Sequence, residues 1–314
     1  MIIGDLASLL DSTLLFGIIL LIGSISGYMS EKAGIVNIGI DGMMCMGALF
    51  FGILASDVVG LSHLGFGGIF IALILTMVAT TFIGAMHAFV CINLRANHII
   101  SGTAINLVGA ALAAFLNEPL AHSLFPTAGL SRIRCGFVSS LDVTKGSGLY
   151  GTTIILTVIC VLICVAIWII INKTKTGLRY RAVGENPNAV DAQGISVFKY
   201  QWIGVLISGA LAGLAGAICL FRMQMFSGSV QSMGYLALAI LITGGWKIPW
   251  IGVFSLVFAV LNAGANSSVF TRIGVDPMIV FSLPYVITLG VLLFSSKNIL
   301  PPAHSGIPFS KEKR

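Results

Sequence analysis

Long apolar runs separated by short polar intervals fill this chain, and most of the runs have the length of a membrane-spanning helix. Such a helix needs about 20 residues to cross a hydrocarbon core of roughly 30 Å. Nine runs occur, at Leu9–Met29, Ile35–Ser56, Phe66–Cys91, Ile99–Leu116, Tyr150–Ile171, Tyr200–Phe221, Gly234–Gly245, Trp250–Ser267 and Met278–Phe294. The seventh is too short to cross unaided, which predicts a broken or re-entrant element. The pattern therefore predicts an all-α polytopic membrane protein of about nine apolar helical elements, in a single transmembrane domain over residues 1–314.

The interval from residue 172 to 199 is the longest polar stretch before the tail at 297–314. It holds five of the seventeen basic residues, namely Lys173, Lys175, Arg179, Arg181 and Lys199. A short helix is predicted inside it, because Asn186 is a good N-cap, Pro187 suits the first helical position and Gly194 can end the helix. Such a segment is typical of an exposed loop that a soluble partner can bind.

Composition supports a membrane protein and excludes other classes. Of the 314 residues, 57% are apolar and only 9% are charged, with a mean hydropathy of +1.03, whereas soluble domains carry about 25% charged residues. The net charge of +6 is spread over loops without an aromatic and basic surface module, so no nucleic-acid partner is predicted. The six cysteines show neither metal-ligand spacing nor a disulfide framework, so no metal site is predicted. Small residues four apart at Gly23–Gly27 and Gly209–Gly213 predict closely packed helices.

The basic residues also predict an orientation, because cytoplasmic loops are enriched in Lys and Arg. If residues 172–199 are cytoplasmic and the nine elements alternate, the cytoplasmic side holds Lys32, Arg95, Lys173, Lys175, Arg179, Arg181, Lys199, Lys247, Lys297, Lys311, Lys313 and Arg314. The outer side holds only Arg132, Arg134, Lys145, Arg222 and Arg272. This orientation places the N-terminus and the loop at 117–149 outside and the tail at 297–314 in the cytoplasm. Cys135, in the outer loop, is then expected to react with a membrane-impermeant thiol reagent.

No signature of an enzyme occurs in the chain. The phosphate-binding sequence G-x-x-x-x-G-K-[ST] is absent, and so are H-E-x-x-H and G-x-S-x-G. The chain is therefore predicted to be a transport subunit, with energy supplied by a partner or by an ion gradient. An ion-coupled carrier usually needs several ionisable groups inside its spans, and only Asp41 and His87 lie well inside the apolar runs. A purely structural membrane scaffold is a third alternative.

Four polar residues in the apolar runs are candidates for a translocation pathway: Asn37, Asp41, Asn106 and Asn262. A carboxylate towards the centre of a membrane helix costs roughly 2.5–3.5 kcal/mol on insertion scales, so Asp41 should face protein or water and have a partner. Asn37 and Asp41 are four residues apart, which on a helix places them on one face. The alternative is structural: a hydrogen bond holds the break at Ser30–Gly34, and each asparagine bonds a neighbouring helix at roughly 0.6–2 kcal/mol.

Four segments in order along the chain resemble one family of membrane proteins. They are SEKAGIVNIGIDGMM (Ser30–Met44), RANHIISGTAINLVG (Arg95–Gly109), GLRYRAVGENPNAVDAQGI (Gly177–Ile195) and GYLALAILITGGW (Gly234–Trp246). Together they are similar to the permeases of ATP-binding-cassette (ABC) importers for simple sugars and nucleosides, within the ribose and branched-chain amino-acid permease superfamily. The likeness extends from about residue 9 to 296, and the shape most resembles the shorter of the two permeases in nucleoside importers.

The resemblance implies the permease fold of the second class of ABC importers, in a bacterial cytoplasmic membrane. It implies an ATP-binding cassette subunit that holds ATP and Mg, a second homologous permease forming a heterodimer with this chain, membrane lipids, and an extracytoplasmic substrate-binding protein or lipoprotein. This chain itself is then expected to bind no cofactor. The solute is expected to be a nucleoside, with a simple sugar as the alternative. The residues expected to couple the chain to the ATPase subunit are Arg181, Gly184, Glu185, Asn186, Pro187, Asp191 and Gly194.

Overall fold

The computed structural model describes residues 2–56, 58–124, 131–137, 151–266, 276–295 and 300–310. Within these residues the chain forms eleven α-helices, and each of the nine predicted apolar runs overlaps one of them. The helices are α1 (Ile2–Lys32), α2 (Ile40–Leu54), α3 (Gly65–Ala88), α4 (His98–Leu124), α5 (Gly151–Lys173), α6 (Lys175–Glu185), α7 (Pro187–Ala192), α8 (Val197–Met223), α9 (Met233–Thr243), α10 (Ile248–Asn266) and α11 (Pro277–Ser295). Six helical segments among the described residues are long and apolar enough to cross a membrane. The prediction of an all-α polytopic membrane protein is confirmed.

Two boundaries differ from the predicted ones because helices continue past the last apolar residue. The helix α1 continues to Lys32, so the interruption predicted at Ser30–Gly34 begins only at residue 33. The helix α4 continues to Leu124 with Pro119 inside it. Residues 117–124, expected to begin a loop, are therefore helical.

The helix α8 forms the centre of the bundle. It packs against α1, α2 and α3. A larger share of its residues is buried than in α4 or α5. Small residues allow the helices to approach closely. A Cβ added to Gly209 of α8 would lie 3.0 Å from the Cα of Gly84 on α3, and a Cβ added to Gly23 of α1 would lie 2.9 Å from the Cβ of Ala237 on α9. The close packing predicted at the two glycine-spaced segments is confirmed.

The bundle has two distinguishable ends. At the end that carries α6 and α7, called the loop end below, Lys32 Nζ lies 3.9 Å from Glu185 Oε1. At the opposite end, called the far end, the segment 131–137 packs beside the C-terminus of α8, where the Cys135 N–H donates to the Gln224 carbonyl at 2.8 Å. Cys135 is only 1% exposed. The expectation that a thiol reagent reaches this cysteine is therefore wrong, because the backbone of its loop pairs with the chain that follows α8.

Two helices cross only part of the bundle. The 15 residues of α2 span about 22 Å and the 11 residues of α9 about 16 Å, at 1.5 Å per residue. Each is preceded by irregular chain, at residues 33–39 and 224–232. The interruption predicted for the seventh apolar run is confirmed, and α2 is a second interrupted crossing. Non-helical backbone is tolerated at this depth because protein surrounds it.

Candidate functional site

The irregular segment before α2 is held by Asn37, whose side chain is fully buried. Its Nδ2 donates to Ser208 Oγ on α8 at 2.9 Å, and its Oδ1 accepts from the Gly39 N–H at 3.0 Å. Since α2 begins at Ile40, Asn37 and Asp41 do not share a helix face, and that prediction is wrong. Gly34, with φ of +89°, takes the chain out of α1, and Asn37 satisfies backbone that the missing helical turn leaves unpaired.

Asp41 joins the starts of the two interrupted helices. Its Oδ1 accepts from the Gly234 N–H, near the start of α9, at 2.9 Å. A Cβ on Gly234 would lie 2.7 Å from the Cβ of Asp41, so only glycine permits this approach. A carboxylate beside a helix N-terminus is stabilised by the unpaired N–H groups and by the helix dipole. Asp41 therefore lies where α2 and α9 meet, in the interior of the bundle, and it has the partner that its burial requires.

Asn106 on α4 completes this junction. Its Oδ1 accepts from the Gly42 N–H at 2.7 Å, and its Nδ2 donates to the Ile38 carbonyl at 2.8 Å and to the Tyr235 hydroxyl at 3.1 Å. One amide thus pairs backbone on both sides of the α2 start and contacts α9. The group formed by Asn37, Asp41, Asn106, Gly234 and Tyr235 is called the crossing site below.

Asn262, the remaining pathway candidate, is not part of the crossing site. It lies on α10, is buried, and donates from Nδ2 to the Phe258 carbonyl one turn earlier at 2.9 Å. Sequence reasoning missed Ser208 and Tyr235. The sequence signal for Tyr235 was its position directly after Gly234, at the start of a short apolar run. The signal for Ser208 was a polar residue inside a long apolar run.

The crossing site has the chemistry of a polar-solute site. Interrupted membrane helices that present their ends near the middle of the bilayer form many transporter binding sites, because the helix ends provide hydrogen-bonding groups that the rest of a span lacks. Tyr235 is 44% exposed, so part of its side chain lies at the surface of the bundle while its hydroxyl accepts from the buried Asn106. No group of three or more His, Cys, Asp or Glu side chains that could hold a metal ion occurs within the described residues.

The loop end carries the second candidate surface, formed by α6 and α7. The polar sequence did not predict α6, which begins where the Thr174 hydroxyl accepts from the Gly177 N–H at 3.1 Å. The predicted short helix is confirmed as α7. The Asn186 side chain accepts from the Ala189 N–H at 3.1 Å, Pro187 occupies the first turn, and Gly194, with φ of +75°, follows the helix end.

Burial divides α7 into two faces. Pro187 and Val190 are buried, and Val190 belongs to a cluster with Val183, Val197 and Phe309. The exposed positions along this stretch are Glu185, Asn186, Asn188, Ala189, Ala192, Gln193 and Gly194. They form one polar surface at the loop end, called the α7 face below.

The other predicted coupling residues lie behind or beside the α7 face. Gly184 packs against the Lys32 carbonyl at the end of α1, and Asp191 is half-buried on α7. Arg181 lies on α6 and lines a cavity beside α1 and α10. Glu185, Asn186 and Gly194 are therefore brought together on one surface. Arg181 lies apart from them and lines the cavity.

The segment 300–310 connects α6 to the chain before α2 through backbone hydrogen bonds. The His304 N–H donates to the Gly184 carbonyl at 2.9 Å and the Gly306 N–H donates to the Gly34 carbonyl at 3.0 Å. Further along, the ring of Phe309 lies 5.5 Å from that of Phe198. Burial lowers the pKa of the His304 imidazole below its ordinary value. The segment 300–310 therefore contacts both the end of α6, which precedes the α7 face, and the irregular chain that leads to the crossing site.

The chain is similar to known permeases over nearly its whole length. The family described as branched-chain amino acid transport system / permease component matches residues 9–295. The nucleoside ABC transporter permease protein NupC of Lactococcus lactis is 32% identical over 99% of this chain and 99% of NupC. The guanosine ABC transporter permease protein NupQ of Bacillus subtilis is 29% identical over 98% of each chain, and the putative glucose ABC transporter permease protein TsgC13 of Haloferax volcanii is 28% identical over 92% of each. No solved structure matches the chain.

The family match begins in α1 and ends in α11, and so includes both interrupted helices, the crossing site and the α7 face. A multi-pass helical bundle with an exposed helical loop and without an enzyme signature agrees with such a protein. This chain belongs to the branched-chain amino acid transport system / permease component family.

Proposed function

We propose that this chain is a membrane-spanning subunit of an ATP-driven ABC importer that moves a nucleoside inward. The observation that carries the proposal is the similarity over nearly the full length to permeases named for nucleoside and guanosine transport. The chain is then a transport component rather than an enzyme, and a separate ATP-binding cassette subunit holds ATP and Mg.

The crossing site is the proposed contact with the solute. A nucleoside offers hydroxyls and base-edge groups, and Tyr235 provides a hydroxyl at the junction of the interrupted helices, where Asn106 orients it by donating to it. The half-exposed ring of Tyr235 can also stack against a base. Asn37 and Asp41 support this surface by holding the starts of α2 and α9. Asn262, which the sequence suggested as a fourth pathway residue, would act only through α10.

The α7 face is the proposed docking surface for the ATP-binding cassette subunit. It is polar, exposed and rigidly capped, which suits binding to a groove of a soluble partner. Glu185, Asn186, Pro187, Asp191 and Gly194 shape this surface, and Gly184 and Arg181 connect it to α1. A second homologous permease and an extracytoplasmic binding protein or lipoprotein complete the proposed complex.

The excess of basic residues at the loop end supports a cytoplasmic position for α6, α7 and the tail, with the N-terminus outside. The proposed location is a bacterial cytoplasmic membrane. A second candidate solute is a simple sugar, favoured by the similarity to the putative glucose permease.

The test is transport in proteoliposomes that contain this chain, the second permease, the ATPase subunit and the binding protein. Labelled nucleoside should enter only with ATP, and unlabelled nucleosides should compete better than ribose or glucose. If a sugar competes best, the second candidate replaces the first. Uptake by this chain alone, driven by an imposed proton gradient, would overturn the importer assignment.

Docking is tested on the exposed side of α7. Ala192→Arg adds bulk to the α7 face without touching the buried cluster, and Thr176→Arg is a matched control at an exposed position of α6. A proline at Val190 would be a poorer test, because Val190 is part of the buried cluster. Ala192→Arg should reduce retention of the ATPase subunit at unchanged membrane abundance, while the control retains it. Equal retention by both variants would refute docking at this face.

A further inference from the structure

A cavity at the loop end is lined by cations. It has a volume of about 400 Å³ and lies between α1, the α5–α6 junction and the turn between α9 and α10. Lys32, Arg181 and Lys247 line it, and no acidic side chain does so among the described residues. Two carboxylates lie near its edge: Glu185 is 3.9 Å from Lys32 Nζ, and Glu31 accepts from the Trp246 indole N–H at 2.6 Å. Positive charge therefore remains in excess inside the cavity.

Arg181, which lines this cavity, has one unpaired guanidinium donor. Its Nε is buried and forms no hydrogen bond with the described residues. A buried donor without a partner costs free energy comparable to a lost hydrogen bond. The guanidinium of Arg181 therefore keeps hydrogen-bonding capacity beside its positive charge, and both favour an anionic ligand in the cavity.

Tryptophans surround the same cavity. Three of the four in the chain, Trp168, Trp246 and Trp250, line it, and Lys173 Nζ lies 5.9 Å from the centroid of the Trp168 ring. Tryptophan is enriched where membrane helices pass from hydrocarbon to headgroups, because its ring is apolar and its N–H is polar. This tendency favours a position of the cavity at the level of the lipid headgroups.

An apolar groove continues from this cavity along the membrane-spanning part of the bundle. It has a volume of about 480 Å³ and lies between α1, α5 and α10. Trp168, Ile248 and Pro249 line both the groove and the cationic cavity. Most of the other side chains that line it are apolar, such as Leu14 and Ile18, and the hydroxyl residues Thr13, Thr157 and Ser255 complete the lining. A ligand that fills both spaces must have an anionic head and an apolar tail.

We propose that the cavity and the groove together bind one anionic glycerophospholipid. The phosphate lies among Lys32, Arg181 and Lys247, and an acyl chain lies along α1, α5 and α10. Basic pockets between membrane helices at the cytoplasmic side are suited to anionic headgroups. A soluble phosphate compound would use the cavity and leave the groove empty, which is why a lipid fits better. The proposal does not depend on the solute or on the direction of transport.

The headgroup contacts are tested on the chain purified in mild detergent with the subunits that accompany it. Dioleoylphosphatidylglycerol is titrated, and bound lipid is measured by native mass spectrometry. Each interfacial cation contributes roughly fivefold to anionic lipid binding. Lys247→Gln should weaken binding roughly fivefold, and Arg181→Gln combined with Lys247→Gln roughly 25-fold. The control combines Lys175→Gln with Lys199→Gln, which removes the same charge from exposed positions outside the cavity and should bind as the parent does. Equal binding by both double variants would overturn the proposal.

The groove is tested by filling it. A Cβ on Gly252, which lines the groove, meets no atom of the described residues within 4 Å. Gly290 on α11 is equally open among these residues and lies outside the groove. Gly252→Leu should reduce retention of phosphatidylglycerol, and Gly290→Leu should not. If Gly252→Leu has no effect and glycerol 3-phosphate displaces the lipid fully, the cavity is a soluble-anion site and the proposal fails. Cross-linking of Gly252→Cys to the second permease would show that protein fills the groove, and would also refute it.

Discussion

Asn106→Ala tests whether the crossing site holds the interrupted helices together. The side chain pairs the Gly42 N–H and the Ile38 carbonyl at 2.7 and 2.8 Å, and alanine would leave both backbone groups unpaired in the interior. Hydrogen bonds between membrane helices average about 0.6 kcal/mol and reach about 1.7 kcal/mol. Two lost bonds therefore predict a destabilisation of about 1–3 kcal/mol, before any contribution from the contact with Tyr235.

The assay is unfolding in mixed micelles of dodecyl sulfate and mild detergent, followed by tryptophan fluorescence. Asn262→Ala is the matched control, because that buried amide donates only to the Phe258 carbonyl one turn earlier in its own helix. Its effect should be less than half as large. Asn106→Asp keeps the acceptor for the Gly42 N–H but places a carboxylate oxygen beside the Ile38 carbonyl, so it should destabilise at least as much as alanine. If Asn106→Ala and Asn262→Ala unfold at the same fraction of dodecyl sulfate, the junction does not depend on the Asn106 amide.

Three further predictions follow from the same structure. Asp41→Asn should keep uptake and stability, because an amide oxygen still accepts from α9, whereas Asp41→Ala should lose both; loss of uptake in a stable Asp41→Asn protein would instead show that the charge is required for transport. Ser131→Cys should react with an impermeant maleimide in intact cells and Asn188→Cys only after lysis, over a low background since all six native cysteines are buried; the reverse pattern would invert the topology. The lowered pKa of His304 means that the neutral imidazole is favoured in the folded tail, so its stabilisation is complete above the unfolded pKa of about 6.5 and declines below it. Hydrogen exchange in residues 300–310, corrected for intrinsic rates, should therefore speed up as the pH falls below about 6.5, and His304→Gln should remove the change.

Features determined by neighbours in sequence were predictable. The helix α7 follows from Asn186, Pro187 and Gly194, which lie within nine residues of one another and act through local capping. The apolar runs predicted the helices for the same reason, since span length and hydropathy are local properties. The interruption before α9 was also visible, because 12 apolar residues cannot cross a membrane unaided.

Features determined by distant partners were not predictable. Whether Asn37 is helical depends on Ser208, which is 171 residues away, and whether Cys135 is exposed depends on the backbone at Gln224. The same holds for the crossing site, where Asp41 was identified as a residue in need of a partner but the partner, Gly234, carries no polar side chain to reveal it. The helix α6 was missed because two glycines and several charges make its sequence resemble a loop.

The contacts of the segment 300–310 have a consequence for how the protein is made. Glu185 Oε2 accepts from the Ala303 N–H, and 118 residues separate the two. At about 5–20 residues per second, the ribosome needs about 6–24 s to synthesise the intervening chain. When α6 and α7 leave the exit tunnel of the ribosome, the residues that connect them to the segment before α2 have still to be synthesised. We therefore expect a chain released before Pro302 to insert its spans into the membrane and yet lack a finished α7 face. If that face is the docking surface proposed above, the order of synthesis itself excludes premature subunits from assembly.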